Sequence, residues 1–361
     1  MFSGSYAPTE VSFLLKRLAI EPMADLEAKE RLIQSGRKHY SEIISIERQP
    51  SAEYLELFES AVERNASTMA RDLYWVARRI LAARTHGVTL VSLARAGTPV
   101  GVALHHLLGE EFGVDAPHYS ISIIRDRGID ATALDHICAR HDPRTITFID
   151  GWTGKGAIGR ELERSVSDYN ARTGRDLSAQ LFVLCDLAGI AAGCGSTDDY
   201  LIPSAILNAT VSGLVSRSIL NEHIGPDEFH GCLYYDSLAP HDRSRWFIDR
   251  LRAQWRADLP ALRLQPVPAL DLAAARTRSE HLVAALMHSY EVSDRNYIKP
   301  GIGEATRSLL RRTPRLLILR DREDPPVRHL ALLADERAVP IHVDPALPLN
   351  AAALIRKLSD A

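Results

Sequence analysis

Apolar positions along this chain follow two periods. Val88 to Leu93 form a short β-type run opened by Gly87. From Thr98 onward, Val100, Ala103, Leu104, Leu107 and Leu108 recur at i, i+3, i+4, i+7 and i+8, one buried helical face with Pro99 in the first turn. Residues 118–124 (HYSISII), 145–149 (TITFI) and 180–188 (QLFVLCDLA) read as further strands. A helix running to about Tyr169 places Ile158, Leu162, Val166 and Tyr169 on one side. Strands alternating with helices predict an α/β fold with a mostly parallel sheet covered on both faces. Residues 1–65 are mixed and polar, with helical patches near 24–34 and 51–64, and a stronger helix is predicted over 67–84. Residues 258–270 hold three prolines and read as a linker. Beyond them the pattern predicts helices near 271–289 and over 299–312, a strand at 315–320 and a helix near 326–337. A strand at 339–343 and a last helix complete a small α/β sandwich unit of about 90 residues.

A length of 361 residues favours two domains. Apolar content of 46% and charged content of 25% are those of ordinary soluble globular chains. A net charge of −3 means that any nucleic-acid binding must rest on a local patch. No apolar run approaches the ~18 residues of a membrane span, and the N-terminus lacks a secretory pattern. A cytoplasmic protein with no membrane partner is expected. Cys138, Cys185, Cys194 and Cys232 form no C-x-x-C pair, so zinc spacing and a dithiol motif are absent and reduced thiols are expected.

The richest chemistry lies at 145–162. The apolar run ends in Asp150, the small-residue turn Gly151-Trp152-Thr153-Gly154-Lys155-Gly156 follows, and an amphipathic helix begins. Small residues let backbone N–H groups approach a phosphate, and a helix N-terminus adds partial positive charge. The adjacent acid can bind ribose hydroxyls, so the segment reads as a sugar-phosphate cradle. It is not a P-loop, which needs four residues between its glycines and a hydroxyl after the lysine. A second small-residue turn, Arg95-Ala96-Gly97, enters the helix beginning at Thr98. The charged turn Arg125-Asp126-Arg127 follows the second strand, and the adjacent His105 and His106 are read as structural.

The pairing of "VSLARAG" with "ITFIDGWTG" resembles the type I phosphoribosyltransferase fold over roughly 66–235. The resemblance implies an N-terminal helical hood at 1–65, a core at 66–235 and a phosphoribosyltransferase-like domain at 1–258. It implies Mg²⁺-dependent transfer from phosphoribosyl diphosphate to a base, a metabolite or an RNA-linked acceptor. Asp150 would bind ribose hydroxyls and, through the substrate, the metal. Gly151, Thr153, Gly154, Lys155 and Gly156 would hold the 5′-phosphate, and Arg95, Ala96, Gly97 and Thr98 the pyrophosphate. Arg125 and Arg127 would close over it, with Ser212 and Arg217 toward the acceptor. Gly151, where the family signature has a second acid, is a departure. Homologous folds often pair, so a homodimer is expected.

After a linker at 259–270, residues 271–361 resemble the pelota-type RNA-binding domain, through Gly301, Gly303-Glu304, Thr306-Arg307, "LLILRD" and "VPIHV". The resemblance assigns structured RNA to Lys299, Gly301, Gly303, Glu304, Arg307 and Arg311. From Arg295 to Arg320 there are seven cations and one acid, a local +6 that suits RNA phosphates. The region around Cys194, His223 and His230 in the larger domain also resembles stress-induced StiP-type cysteine proteases associated with tellurite resistance. That leaves a cysteine hydrolase with Cys194 in a Gly-rich turn upstream of His223 and His230, or a non-catalytic nucleotide- or RNA-binding protein, as alternatives.

Overall fold

The computed structural model describes residues 1–312 and 314–356. Two short strands, β1 (Ser12–Leu14) and β2 (Lys16–Arg17), precede α1 (Leu26–Gln34) and the long α2 (Ala52–Ala83). Next come β3 (Thr89–Ala94), α3 (Gly97–Phe112), β4 (His118–Ile124), β5 (Gly128–Ile129) and α4 (Ala131–Cys138). They lead to β6 (Ile146–Thr153), α5 (Ala157–Thr173), β7 (Leu181–Asp186) and β8 (Gly193–Ser196). An irregular stretch carries β9 (Gly231–Cys232) and leads to α6 (Ser244–Leu262) and α7 (Leu272–Ser289). The last elements are β10 (Ile298–Pro300), α8 (Gly301–Arg311), β11 (Pro314–Leu319), α9 (Arg328–Glu336), β12 (Ile341–Val343) and β13 (Ala351–Ile355).

The main sheet has the order β1-β4-β3-β6-β7-β8, parallel throughout, with β5 folded back antiparallel on β4. This is the mixed α/β, mostly parallel architecture read from the alternation. The strands are near-continuous apolar runs because helices cover both faces. On one face α2, α3 and α6 bring Phe58, Leu73, Leu104 and Trp255 together; on the other, α4 and α5 bring Leu134, Leu162 and Val166 onto Ile121 and Phe148. A second sheet, β10-β13-β11-β12, carries α8 and α9. Its core residues Ile302, Leu309, Leu317 and Leu354 are continuous with the α2–α3–α6 side of the main core.

Several expectations are corrected. The N-terminal segment carries a strand besides its helices: Phe13 and Leu14 are fully buried, and β1 adds a strand beside β4 with Ser12 opposite Tyr119. The two helices expected before Gly87 are one, because Asn65 stays helical and its buried amide donates to the Ala61 carbonyl at 2.9 Å. The expected linker begins inside α6, which carries Pro260 in its last turn while Leu259 and Leu262 remain buried. Pro268 then lies on the core, its carbonyl accepting from Arg79 at 2.5 Å. The expected last helix is instead β13, whose five residues are all buried between β10 and β11. Alanine favours helix in isolation, but strand pairing overrides that preference here. Residues 357–361 of the expected 271–361 unit lie outside the described residues.

One half-buried carboxylate fastens the small sheet to the large one. Asp199 Oδ1 accepts the Ile302 N–H at 2.9 Å and Oδ2 the Asn350 N–H at 2.8 Å, while its carbonyl accepts from the Asn350 side chain. Ile302 stands in the first turn of α8, where N–H groups lack helical partners and negative charge is favoured. Burial holds the Asp199 carboxyl up at about 6 against these backbone donors. Close packing adds to the docking: a Cβ on Gly303 would come within 2.3 Å of Trp152 Nε1, so only glycine lets α8 approach β6.

Replacing Asp199 by alanine orphans buried donors on α8 and before β13. We expect a loss of about 2–4 kcal/mol, read as a lower urea midpoint; an unchanged midpoint contradicts the clamp. Gly303→Ala forces the Trp152 indole aside and is expected to cost about 1–3 kcal/mol, with altered tryptophan fluorescence in the folded state.

Candidate functional site

β6 does not stop at the acid. It continues through Asp150, whose partner is Val183, to Thr153, whose partner is Asp186, so the turn is shifted toward α5. Gly151 lies against the turn after β3: a Cβ on it would sit 3.3 Å from the Ala96 carbonyl oxygen, and one on Gly97 would sit 2.3 Å from that of Ile149. The two small-residue turns are therefore neighbours at one rim of the sheet. Helix α8 of the C-terminal unit covers that rim, and between them lies a cleft of about 340 Å³.

Many side chains expected to hold a phosphate are engaged inside the protein. Thr153 donates to Asp186. Thr98 is fully buried and shares a 2.8 Å hydrogen bond with Ser120. Lys155 donates to the carbonyls of Arg295 and Ile298 at 3.0 and 2.6 Å, tying the turn to the C-terminal unit. Gly154 accepts from Ser279 through its carbonyl at 3.1 Å, and a Cβ on it would come within 2.4 Å of Glu304 Oε1. An acid thus occupies the mouth of the turn at the start of α5. Gly156, at φ +74°, makes the left-handed turn into that helix.

Asp150 is buried and faces Arg307, and burial raises its carboxyl to about 6 against that cation's opposing pull. The Arg307 guanidinium in turn lies 4.4 Å over the Trp152 ring. Arg95 donates to Glu47 at 2.8 Å, to the Val215 carbonyl at 2.9 Å and to Asn208 Oδ1 at 2.7 Å. Arg311 converges on that same Asn208 oxygen, its nearest approach 2.5 Å. Two guanidinium groups therefore share one neutral acceptor.

Arg125 lines the cleft beside Tyr40, its backbone N–H donating to the Tyr40 hydroxyl at 2.8 Å. Arg127 does not line it: the tight β4–β5 turn directs it to Glu42 at 2.5 Å. Ser212 is buried and donates to the Asn208 carbonyl at 2.7 Å, so it is structural. Arg217 does reach the cleft and donates to the Ile43 carbonyl. The residues expected to meet RNA also face inward. Gly301 and Gly303 are packing contacts on Asp199 and Trp152, whereas Lys299, Glu304, Arg307 and Arg311 line the cleft.

The cleft is strongly cationic. Eight Lys and Arg side chains line it against three acids, Glu30, Asp150 and Glu304. Among the described residues, Lys29, Lys155, Arg217, Lys299, Arg307 and Arg311 have no ion pair. Burial is the first cause that lowers them, and neighbouring cations add to it. Lys299 is drawn down to about 7 and Lys29 to about 8, while Arg217 and Arg307 fall to about 10. Lys29, Glu30, Tyr40, Glu47 and Asn208 escaped the sequence reading; the amphipathic helix near 24–34 was the one signal for the first two.

A divalent cation does not fit here. Asp150 faces a guanidinium in a site of excess positive charge, and among the described residues no three His, Cys, Asp or Glu side chains group closely enough to share a metal.

The thiols lie elsewhere. Cys194 is in β8 opposite Val183 and is 1% exposed, and burial pushes its thiol up to about 12. Of its expected partners, His230 is engaged away from it, bonding Ser122 at 2.7 Å. Cys185 donates to the Asp198 carbonyl at 2.8 Å, and Cys232 is fully buried with its thiol raised to about 12. Cys138, at the end of α4, is half-buried beside Tyr169 and Arg175. Among the described residues no hydrogen bond joins a cysteine to a histidine.

Comparison with known proteins corrects the functional expectation. Residues 4–252 match the family described as tellurite-like stress resistance cysteine protease StiP, and residues 277–357 match the PELOTA RNA binding domain. The chain is 44% identical to "Cysteine protease StiP" of Acinetobacter baylyi over 368 residues, 99% of this chain and 95% of the relative. The match spans the segment read as a phosphoribosyltransferase. It overturns that activity together with its transferase chemistry, and leaves phosphoribosyl diphosphate without support as a partner. The internal engagement of Thr98, Thr153 and Lys155 is the physical counterpart. No described helix is long and apolar enough to cross a membrane. The chain belongs to the StiP family and carries a PELOTA RNA-binding domain toward its C-terminus.

Proposed function

We propose that this chain is a cysteine-dependent hydrolase of the StiP kind that engages RNA through its C-terminal unit. The supporting observation is the identity of 44% across 99% of the chain with a relative named as a cysteine protease. A match of that extent leaves no large segment of this chain outside the shared length.

A nucleophilic thiol must reach its substrate and lose its proton. Cys185, Cys194 and Cys232 are buried, which leaves Cys138 as the half-accessible thiol of the four. Burial raises it, and the neighbouring Tyr169 hydroxyl and Arg175 guanidinium oppose that rise. Arg175 donates to the Tyr169 oxygen at 2.5 Å, and Tyr169 donates to Asp135 Oδ1 at 2.7 Å. The arrangement gives Cys138 a fixed cation beside its sulfur and a carboxylate one hydroxyl away. In this reading Cys138 is the nucleophile and Arg175 stabilises its thiolate.

The expected outcome is that Cys138→Ser lowers cleavage of a fluorescent casein by about a hundredfold or more, while Cys185→Ser and Cys232→Ser retain it. Loss confined to Cys194→Ser would move the role to β8, and activity in all four serine variants would end the cysteine reading.

Because the thiol lies above its ordinary range, its thiolate fraction is small at neutral pH and grows as pH rises. The rate kcat/KM should climb through the alkaline range, and a plateau already reached at pH 7 would contradict the assignment.

A further inference from the structure

Buried cations are ordinarily paired or neutralised, because removing charge from water is costly. The chain does this where it can: Arg312 meets Glu30 at 3.1 Å and Arg95 meets Glu47 at 2.8 Å. At the centre of the cleft it does not. Arg311 leans on an amide oxygen already used by Arg95, Arg217 on a backbone carbonyl, and Arg307 on an aromatic face. None of these contacts is an ion pair; Asp150 faces Arg307, but the acids of the cavity are too few to balance its cations, so the guanidinium groups repel one another across it. Such an arrangement is unfavourable when empty and becomes favourable when an anion enters.

The surroundings narrow the anion. A volume of about 340 Å³ suits a molecule of nucleotide size. Tyr40 and Trp152 line it, with the guanidinium carbons of Arg125 and Arg217 over Tyr40 and of Arg307 over Trp152, 4.4 to 5.7 Å from the ring centres. A double helix cannot enter between β6 and α8, whereas one phosphorylated nucleotide can. The cations come from the α/β core and from α8, so neither part alone makes the site.

We propose that this cleft is a composite binding site for a terminal phosphate group carried on a single nucleotide, either free or at the end of a single-stranded RNA. Arg311, Arg307 and Arg217 grip the phosphate, and Lys299 adds charge from the C-terminal unit. Occupancy cancels the repulsion between the two parts and strengthens the seating of α8 on the sheet rim. Glu304, at the mouth, is the acid a ligand must pass.

The test is thermal unfolding of the full chain at fixed ionic strength, with three probes. These are a nucleoside 5′-triphosphate, a 5′-phosphorylated RNA pentanucleotide, and the same pentanucleotide with a 5′-hydroxyl. At about a hundredfold excess over Kd, a ligand that binds the folded protein raises the midpoint by about 5 °C. A rise with the triphosphate supports the free source, and a rise with the phosphorylated but not the hydroxyl RNA supports the RNA end. An equal rise with both RNAs, or no rise with any probe, overturns the site.

Arg311→Gln supplies a sign that a merely structural arginine would not give. Removing one cation from a repelling set should raise the midpoint of the unliganded protein at low salt while abolishing the ligand-induced rise. Arg307→Gln repeats the test at a second position, with tryptophan fluorescence reporting the released Trp152. A lowered unliganded midpoint with the ligand response intact in both variants overturns the proposal. The readout is binding and does not involve any thiol, so it stands apart from the hydrolase assignment.

Discussion

The contact on which this structure turns is the seating of α8 on the rim of the main sheet. It crowds like charges: Arg307 and Arg311 approach Arg95 and Arg217 with few acids between them. Apolar continuity holds the two sheets together against that repulsion, since Ile302 and Leu309 of α8 belong to the same core as Leu187 and Ile206. Burial of apolar area is non-directional and supplies about 25 cal/mol per Å², which is why a cluster of this kind is tolerated. The directional work falls to Asp199 and Lys155, which satisfy backbone groups of the smaller unit from the larger one. Each meets polar atoms that a purely apolar interface would leave unpaired.

The same seating explains why the turns at 95–97 and 150–156 differ in use from their sequence. Both are small-residue turns opening helices, and each is shaped as an anion cradle would be. Gly97 and Gly151 are small because the turns pack on each other, and Gly154 because Glu304 lies against it. A small residue admits whatever comes close, whether backbone, carboxylate or ligand, and sequence does not distinguish among these.

The fold was legible where burial is periodic. The α3 stripe and the runs at 118–124 and 180–188 appear as a helix and two buried strands, because parallel strands under helices have little choice of residue. Legibility failed where partners are distant. Nothing local in Ser12–Leu14 announces an edge strand on β4, and nothing in AAALI tells a strand from a helix until β10 and β11 flank it. The site was half legible: Asp150 and Arg217 were expected at a sugar-phosphate site and Arg307 and Arg311 at a separate RNA surface. That the two surfaces are one cleft depends on docking geometry. Lys29, which lines it, and Asn208, which holds Arg311 beside it, lie in segments with no motif.

Charge balance separates two uses of buried arginine. An arginine that cements an interface gains most from a carboxylate, because bidentate pairing recovers part of the lost hydration. Arg312 with Glu30 follows that logic. Arg311, one residue earlier on the same helix end, does not, although Glu47 already serves Arg95 nearby. If α8 needed only to be held, an acid in place of Asn208 would pair both guanidinium groups and relieve the strain at no cost in volume. A neutral amide there keeps the two arginines close while only Arg95 has a carboxylate partner, so the cleft keeps its excess positive charge until something anionic arrives. That is the physical signature of a binding surface as opposed to a joint, and it places the ligand's charge between the two units.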